Sequence, residues 1–219
     1  MNKVISSLLF FFLLCCTSNL YAQKLINDRP TILMPIGDGT EVVDTYYPYF
    51  RLQEEGFNVV IAGPEARVYN LVTHEVPPNA PVKWDITQEG PGYHLKADIA
   101  FKDIIPEDYD GIFISGGRAP EYIRYDKNLI RAVQYFFQKN LPVAVVCHGV
   151  EIVAAADVIK GRKMTTVAKC EFDITQNGGI YVPQELVVDG NLVSCRTWHD
   201  YGLPYMKTFI HLLKSDWHE

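Results

Sequence analysis

Short apolar runs alternate with stretches of helical spacing along almost the whole chain. Thr31–Ile36 is an apolar run that leaves into Gly37-Asp38-Gly39, a strand passing into a loop. From Glu41 to Glu55 the apolar positions Val42, Tyr46, Tyr49, Phe50 and Leu52 recur at helical intervals, and Gly56 stops them. Asn58–Ala62 reads as a second buried strand, closed by Gly63-Pro64. Residues 64–98 are broken by Pro77-Pro78, Pro81 and Gly90-Pro91-Gly92 into loops, with short strands expected near Val68–Val72 and Leu95–Ile99.

Periodicity returns at Tyr109–Ser115, a strand ending in Gly116-Gly117, and a helix is expected from about Asp126 to Lys139. The apolar run Leu141–Val146 then precedes the helix-like stretch Glu151–Ala156. A strand over Lys163–Val167 and a helix over Glu171–Asn177 follow. Leu186–Val188 and Asn191–Val193 flank Asp189-Gly190, a hairpin signal, and Pro204–Lys214 closes the pattern as an apolar-faced helix. Strand–helix alternation with apolar strands implies an α/β fold: one three-layer αβα sandwich around a mostly parallel sheet. In such folds ligands bind at the carboxyl ends of strands, where Gly37, Gly116-Gly117 and Cys147 fall.

Residues 1–22 depart from this pattern. Lys3 is their only charge, Leu8–Leu14 is an apolar core, and Leu20-Tyr21-Ala22 resembles a cleavage site. The expectation is a secretory signal peptide cut after Ala22, leaving one domain over residues 23–219, secreted or periplasmic. Neither Cys15 nor Cys16 follows the small residue that lipidation prefers, so a lipoprotein anchor is the weaker alternative. The net charge of −6 grows by one unit with the loss of Lys3, and no basic cluster is present. That argues against nucleic acid and against stable membrane insertion. Three cysteines remain, Cys147, Cys170 and Cys195, so at least one thiol is free; a Cys170–Cys195 disulfide is left open.

Cys147 carries the chemistry. It falls where a buried strand ends and a helix begins, so backbone N–H groups and the positive helix end favour its thiolate. Val145 stands where hydrolase elbows carry a glycine. His148 is the adjacent base, although consecutive residues on a turn usually point apart. Glu41, just beyond the first strand, can reach the same crevice, and beside a sulfur it serves best protonated. His74, His94 and Glu89 could line the pocket but are expected instead to be exposed loop residues, and His199-Asp200 a weak substrate contact. No residue spacing marks a metal site.

Gly116–Glu121, Val146–Gly149 and Lys160–Lys163, with Asp38–Glu41 before Tyr47–Tyr49 and Asp189–Asn191, resemble the ThiJ/PfpI family, closest to its PfpI branch. This is a branch of the class-I glutamine amidotransferase-like superfamily, and the resemblance spans about residues 31–214. It implies a flavodoxin-like sheet, Cys147 as nucleophile and Glu41 hydrogen-bonded to its sulfur. It further implies Glu121 as the acid that orients His148 across a subunit interface, and Gly117, Gly116 and the His148 N–H as oxyanion donors. A homo-oligomer, dimer or hexamer, with shared sites would follow. The implied activity needs no cofactor: a cysteine hydrolase or lyase acting on a peptide, a glycated amine or a small aldehyde, as a peptidase, deglycase or glyoxalase III-type enzyme. The amidotransferases' later His-x-Glu is missing. The competing function is a non-enzymatic redox or stress sensor built on the same thiol.

Overall fold

The computed structural model describes residues 29–75 and 87–216. Its contacts divide the chain after Pro30, and the fold is that of the unit beginning at Thr31. The expected leader over residues 1–22, and the Pro77-Pro78 and Pro81 breaks, lie outside the described residues.

In chain order the first strands are β1 (Thr31–Pro35), β2 (Asn58–Gly63), β3 (Val68–Glu75), β4 (Gln88–Lys96) and β5 (Ile99–Ala100). They are followed by β6 (Gly111–Ile114), β7 (Val143–Val146), β8 (Lys163–Met164), β9 (Ile180–Tyr181), β10 (Leu186–Asp189) and β11 (Leu192–Cys195). The helices are α1 (Val42–Glu54), α2 (Pro120–Ile123), α3 (Lys127–Gln138), α4 (Val150–Ala155), α5 (Glu171–Thr175) and α6 (Tyr205–Asp216).

The main sheet runs β10-β11-β7-β6-β1-β2-β5. Every pairing in it is parallel except β10 with β11. Leaving out the two-residue β5 and the antiparallel edge, the order is that of flavodoxin-like sheets, as the resemblance implied. Helices α1 and α6 pack together on one face, while α2, α3, α4 and α5 form a contiguous layer on the other. Because both faces are covered, the central strands are apolar throughout: Ile32–Met34, Ile112–Ile114 and Val143–Val146 are all buried. Helix α3 buries Leu129, Ala132, Val133 and Phe136, one stripe at three- and four-residue steps. Its N-cap, Asp126, accepts from the N–H groups of Asn128 and Leu129.

Helix α1 contains Pro48, which lacks the N–H that would bond the carbonyl of Asp44. The hydroxyl of Ser115 donates to that carbonyl instead, at 3.0 Å. A side chain just past β6 thus ties α1 to the carboxyl edge of the sheet.

Two expectations are corrected. The segment read as loops with two short strands is a two-stranded antiparallel ribbon, β3 paired with β4, passing through Gly90-Pro91-Gly92 with a register shift between Asn70 and Val72. Proline is tolerated because each strand of a two-stranded ribbon has a free edge. A Cβ on Gly92 would stand 2.8 Å from the Leu71 carbonyl oxygen, so the close approach needs glycine. The strand expected over Lys163–Val167 stops at Met164, since Thr165 and Thr166 spend their groups on Ser194 and Cys147 rather than on a ladder. The pairing of Cys170 with Cys195, left open by the sequence, is not made: both are free and buried.

Candidate active site

Three chain segments leave the sheet at neighbouring strand ends: Gly37–Glu41 after β1, Ser115–Arg118 after β6, and Cys147–Gly149 after β7. The strand order reverses between β1 and β6, which opens a crevice there. Glu41 N–H donates to the Gly116 carbonyl and Arg118 N–H to the Gly39 carbonyl, stitching the first two segments together. Gly117 has φ +85°, and a Cβ on it would lie 2.4 Å from Glu41 N and from Gly39 O. Only glycine fits. Gly116 abuts the third segment: a Cβ there would stand 2.6 Å from Cys147 Cβ and 3.1 Å from His148 N.

Cys147 itself has φ +54°. A non-glycine residue in that region costs on the order of 1–2 kcal/mol and persists only where its surroundings enforce it. The enforcement is visible. Gly149 packs against the Ile114 and Ser115 carbonyls, and Thr166 Oγ1 donates to the Cys147 carbonyl at 2.7 Å. The strained bend throws the sulfur toward its neighbour, so Cys147 Sγ lies 3.2 Å from His148 Nδ1 despite their adjacency.

Electrostatics differ from the sequence expectation. Cys147 is 1% exposed, and burial, reinforced by the charge of Asp44, pushes its thiol well above the ordinary range. The His148 N–H pulls the other way and loses. His148, 7% exposed, is pushed down to about 3, chiefly by burial and then by His74 and Lys169. The resting pair is therefore a neutral thiol beside a neutral imidazole.

Glu41 caps α1 by accepting from Asp44 N–H and is fully buried. Burial and the Asp44 charge raise its pKa, so it is held protonated more readily than an ordinary carboxylate. Among the described residues, Cys147 Sγ hydrogen-bonds the His148 ring, and Glu41 bonds its own helix end. Glu121, in the first turn of α2, is exposed and makes no bond to His148 within the chain among the described residues. It lines a cavity of about 860 Å³ with Asp38, Arg67, Arg118 and Tyr122.

Other residues stand where sequence gave little signal. His74, expected to be exposed, is 6% exposed, and its ring meets that of His148 edge-on at 4.8 Å. Glu151 and Cys170 offer donor atoms within 4.8 Å of one another and of a His148 nitrogen. Burial raises Glu151 to about 7 despite Arg124 at 3.3 Å. Asp44 accepts from Tyr201 Oη at 2.9 Å and is raised by burial. An acid in the first helical turn, four residues before Pro48, was the available hint for Asp44. His94 is exposed, Glu89 is paired with Arg118, and His199 stacks on Trp198 at the surface.

A family model described as the DJ-1/PfpI family matches residues 30–210. The chain belongs to the DJ-1/PfpI family. It is similar to the protein named Deglycase PfpI of Pyrococcus furiosus, 36% identical over 174 residues that cover 80% of this chain and 93% of that one. Protein/nucleic acid deglycase 2 of Escherichia coli is 35% identical over 104 residues, 47% of this chain and 60% of its own length. Among solved structures, Drosophila melanogaster DJ-1beta has a TM-score of 0.68 at 16% identity, covering 84% of this chain and 91% of that one, and shares the fold. As members of one family, this chain and its deglycase-named relatives support an enzymatic role at family level.

Proposed function

We propose that Cys147 is the nucleophile of a deglycase-type enzyme that releases amines from adducts of small aldehydes. What carries the reading is the strained bend that sets Cys147 Sγ 3.2 Å from His148 Nδ1 beside Gly116 and Gly117. The names of the relatives support a glycated substrate over a peptide. On attack, Sγ bonds to the carbonyl carbon of the adduct while its proton passes to His148, so a neutral pair becomes an imidazolium and an oxyanion. The Gly117 and His148 N–H groups face that oxyanion. The C–N bond on the neighbouring carbinol carbon then breaks, His148 gives its proton to the departing nitrogen, and the carbinol hydroxyl becomes a C=O as its proton passes to the oxyanion. The dicarbonyl left on Sγ as a hemithioacetal dissociates, which restores the Cys147 thiol.

A neutral imidazole must be oriented to accept that proton. In this reading Glu121 does so from a neighbouring copy, on a face where Tyr122 and Tyr125 are also exposed. Glu151 is the acid near His148 within the same chain. The second reading, a redox or stress sensor, uses the same thiol, and in both readings the buried Cys147 gives up its proton as it reacts. Residues 1–22 place the enzyme outside the cytoplasm in this reading; among the described residues no helix is long and apolar enough to cross a membrane. Intact mass of protein from cells tests the leader: a chain beginning at Gln23 supports it, and one retaining Met1 refutes it.

The test of the chemistry is a covalent adduct. Protein mixed with methylglyoxal, quenched and mapped by mass spectrometry should carry the adduct on Cys147 and not on Cys170 or Cys195. Modification spread over surface lysines with Cys147 untouched would overturn the proposal.

A further inference from the structure

We propose that His74, Cys147 and His148 form a zinc-binding site that closes the nucleophile when filled. One donor atom from each residue lies within 4.8 Å of the other two, and all three side chains are buried. Cys147 Sγ and His148 Nδ1 already stand at 3.2 Å. Zinc bound at about 2.3 Å from sulfur and about 2.0–2.1 Å from nitrogen spaces tetrahedral donors at roughly 3.3–3.7 Å. The trio therefore closes on an ion through small side-chain rotations.

The independent observation is His74. Its Nδ1 is buried with no hydrogen-bond partner, in a residue 6% exposed whose ring is set against His148. A buried imidazole nitrogen left unpaired is costly, and ligation through that nitrogen removes the cost. The ribbon holds His74 there through Val72 N–H to the Thr40 carbonyl and Asn70 N–H to Asp38 Oδ1.

A second trio, His148 with Glu151 and Cys170, is spoken for: Arg124 faces Glu151 at 3.3 Å, and Cys170 Sγ points at the same carboxylate. One thiolate and two imidazoles suit zinc and not calcium or magnesium, which take oxygen donors. Three protein donors leave a fourth position for water. As the zinc–sulfur bond forms, the Cys147 thiol gives its proton to solvent, and no oxidation state changes. Zinc takes one lone pair of the thiolate, withdraws charge from the sulfur and covers its approach, so attack on a carbonyl slows.

The site shares Cys147 with the proposed reaction, yet its test reads metal and thiol directly. Reduced, metal-free full-length protein is titrated with cobalt(II) as a coloured substitute for zinc, then with zinc. The expected result is a thiolate-to-cobalt absorption band at one equivalent, bleached by zinc and lost in Cys147→Ser and in His74→Gln. Alkylation of Cys147 by iodoacetamide, mapped by mass against Cys170 and Cys195, should slow at least tenfold with one equivalent of zinc and recover with EDTA. In His74→Gln, whose folding is checked by circular dichroism, zinc should change the alkylation rate less than twofold. No cobalt–thiolate band, or a band and protection as strong in His74→Gln as in the natural protein, overturns the proposal. If Cys147 alkylates slowly with or without zinc, the cobalt spectrum alone decides. Failure of the methylglyoxal adduct with an intact cobalt band would sink the deglycase reading and leave the metal site standing.

Discussion

Cys147, His148 and the buried acids around them set one another's charge. Glu151 is raised to about 7 from an ordinary 4.5, chiefly by burial. A carboxyl whose folded pKa is raised stabilises the fold fully below its unfolded value and loses that contribution as pH rises through the folded one. Stability should therefore fall between about pH 4.5 and 7, and Glu151→Gln should flatten that part of the profile in urea titrations. His148 acts in the opposite sense: buried neutral and lowered to about 3, it costs stability as pH falls below its unfolded value near 6.5. Gly117→Ala forces a Cβ into Glu41 N and Gly39 O at positive φ, and a loss of more than about 2 kcal/mol in equilibrium unfolding is expected. At this scale the sequence showed Cys147, His148 and the glycines, because short motifs hold them. It hid Glu151 and gave only faint signals for His74 and Asp44, because distant segments bring them together, and it credited the helix end where burial decides the thiol's protonation.

Helix α1 depends on a bond from outside itself. Ser115→Ala would leave the Asp44 carbonyl, opened by Pro48, buried without a partner, and a cost of about 1–3 kcal/mol in thermal or urea unfolding is expected. The Asp126 cap of α3 is an ordinary one by comparison. Asp126→Ala should cost about 1 kcal/mol, read as a small drop in Tm. Strands β6 and β7 are buried along their whole length and β1 from Ile32 onward, so their residues run apolar and were legible; β2, half-buried over its first three residues, was legible from its apolar run Val59–Ala62. The β10–β11 hairpin was legible from Asp189-Gly190, although Asp189 pairs with Leu192, so the turn itself is Gly190-Asn191. The ribbon β3–β4 escaped because a two-stranded, largely exposed element lacks an apolar stripe, and its glycines and proline imitate a loop.

For the whole molecule, alternation along the chain carried the layer order and the parallel sheet, while the strand order came from the resemblance and not from periodicity. Assembly is where the proposed mechanism is most exposed. If Glu121 orients His148 across an interface, Cys147→Ala and Glu121→Gln proteins should each be inactive alone. Mixing them under exchange should restore up to about a quarter of natural turnover, the statistical share of intact sites in a dimer. If Glu151 orients His148 within one chain, mixing restores nothing, Glu121→Gln is active, and Glu151→Gln loses turnover.

The central claim is that one sulfur performs the attack, and release of free amine from a methylglyoxal-modified amine measures it most directly. The natural protein should turn this substrate over, with Cys147→Ala at the uncatalysed background and His148→Ala lowered at least a hundredfold. Turnover by Cys147→Ala at the natural rate would contradict the account.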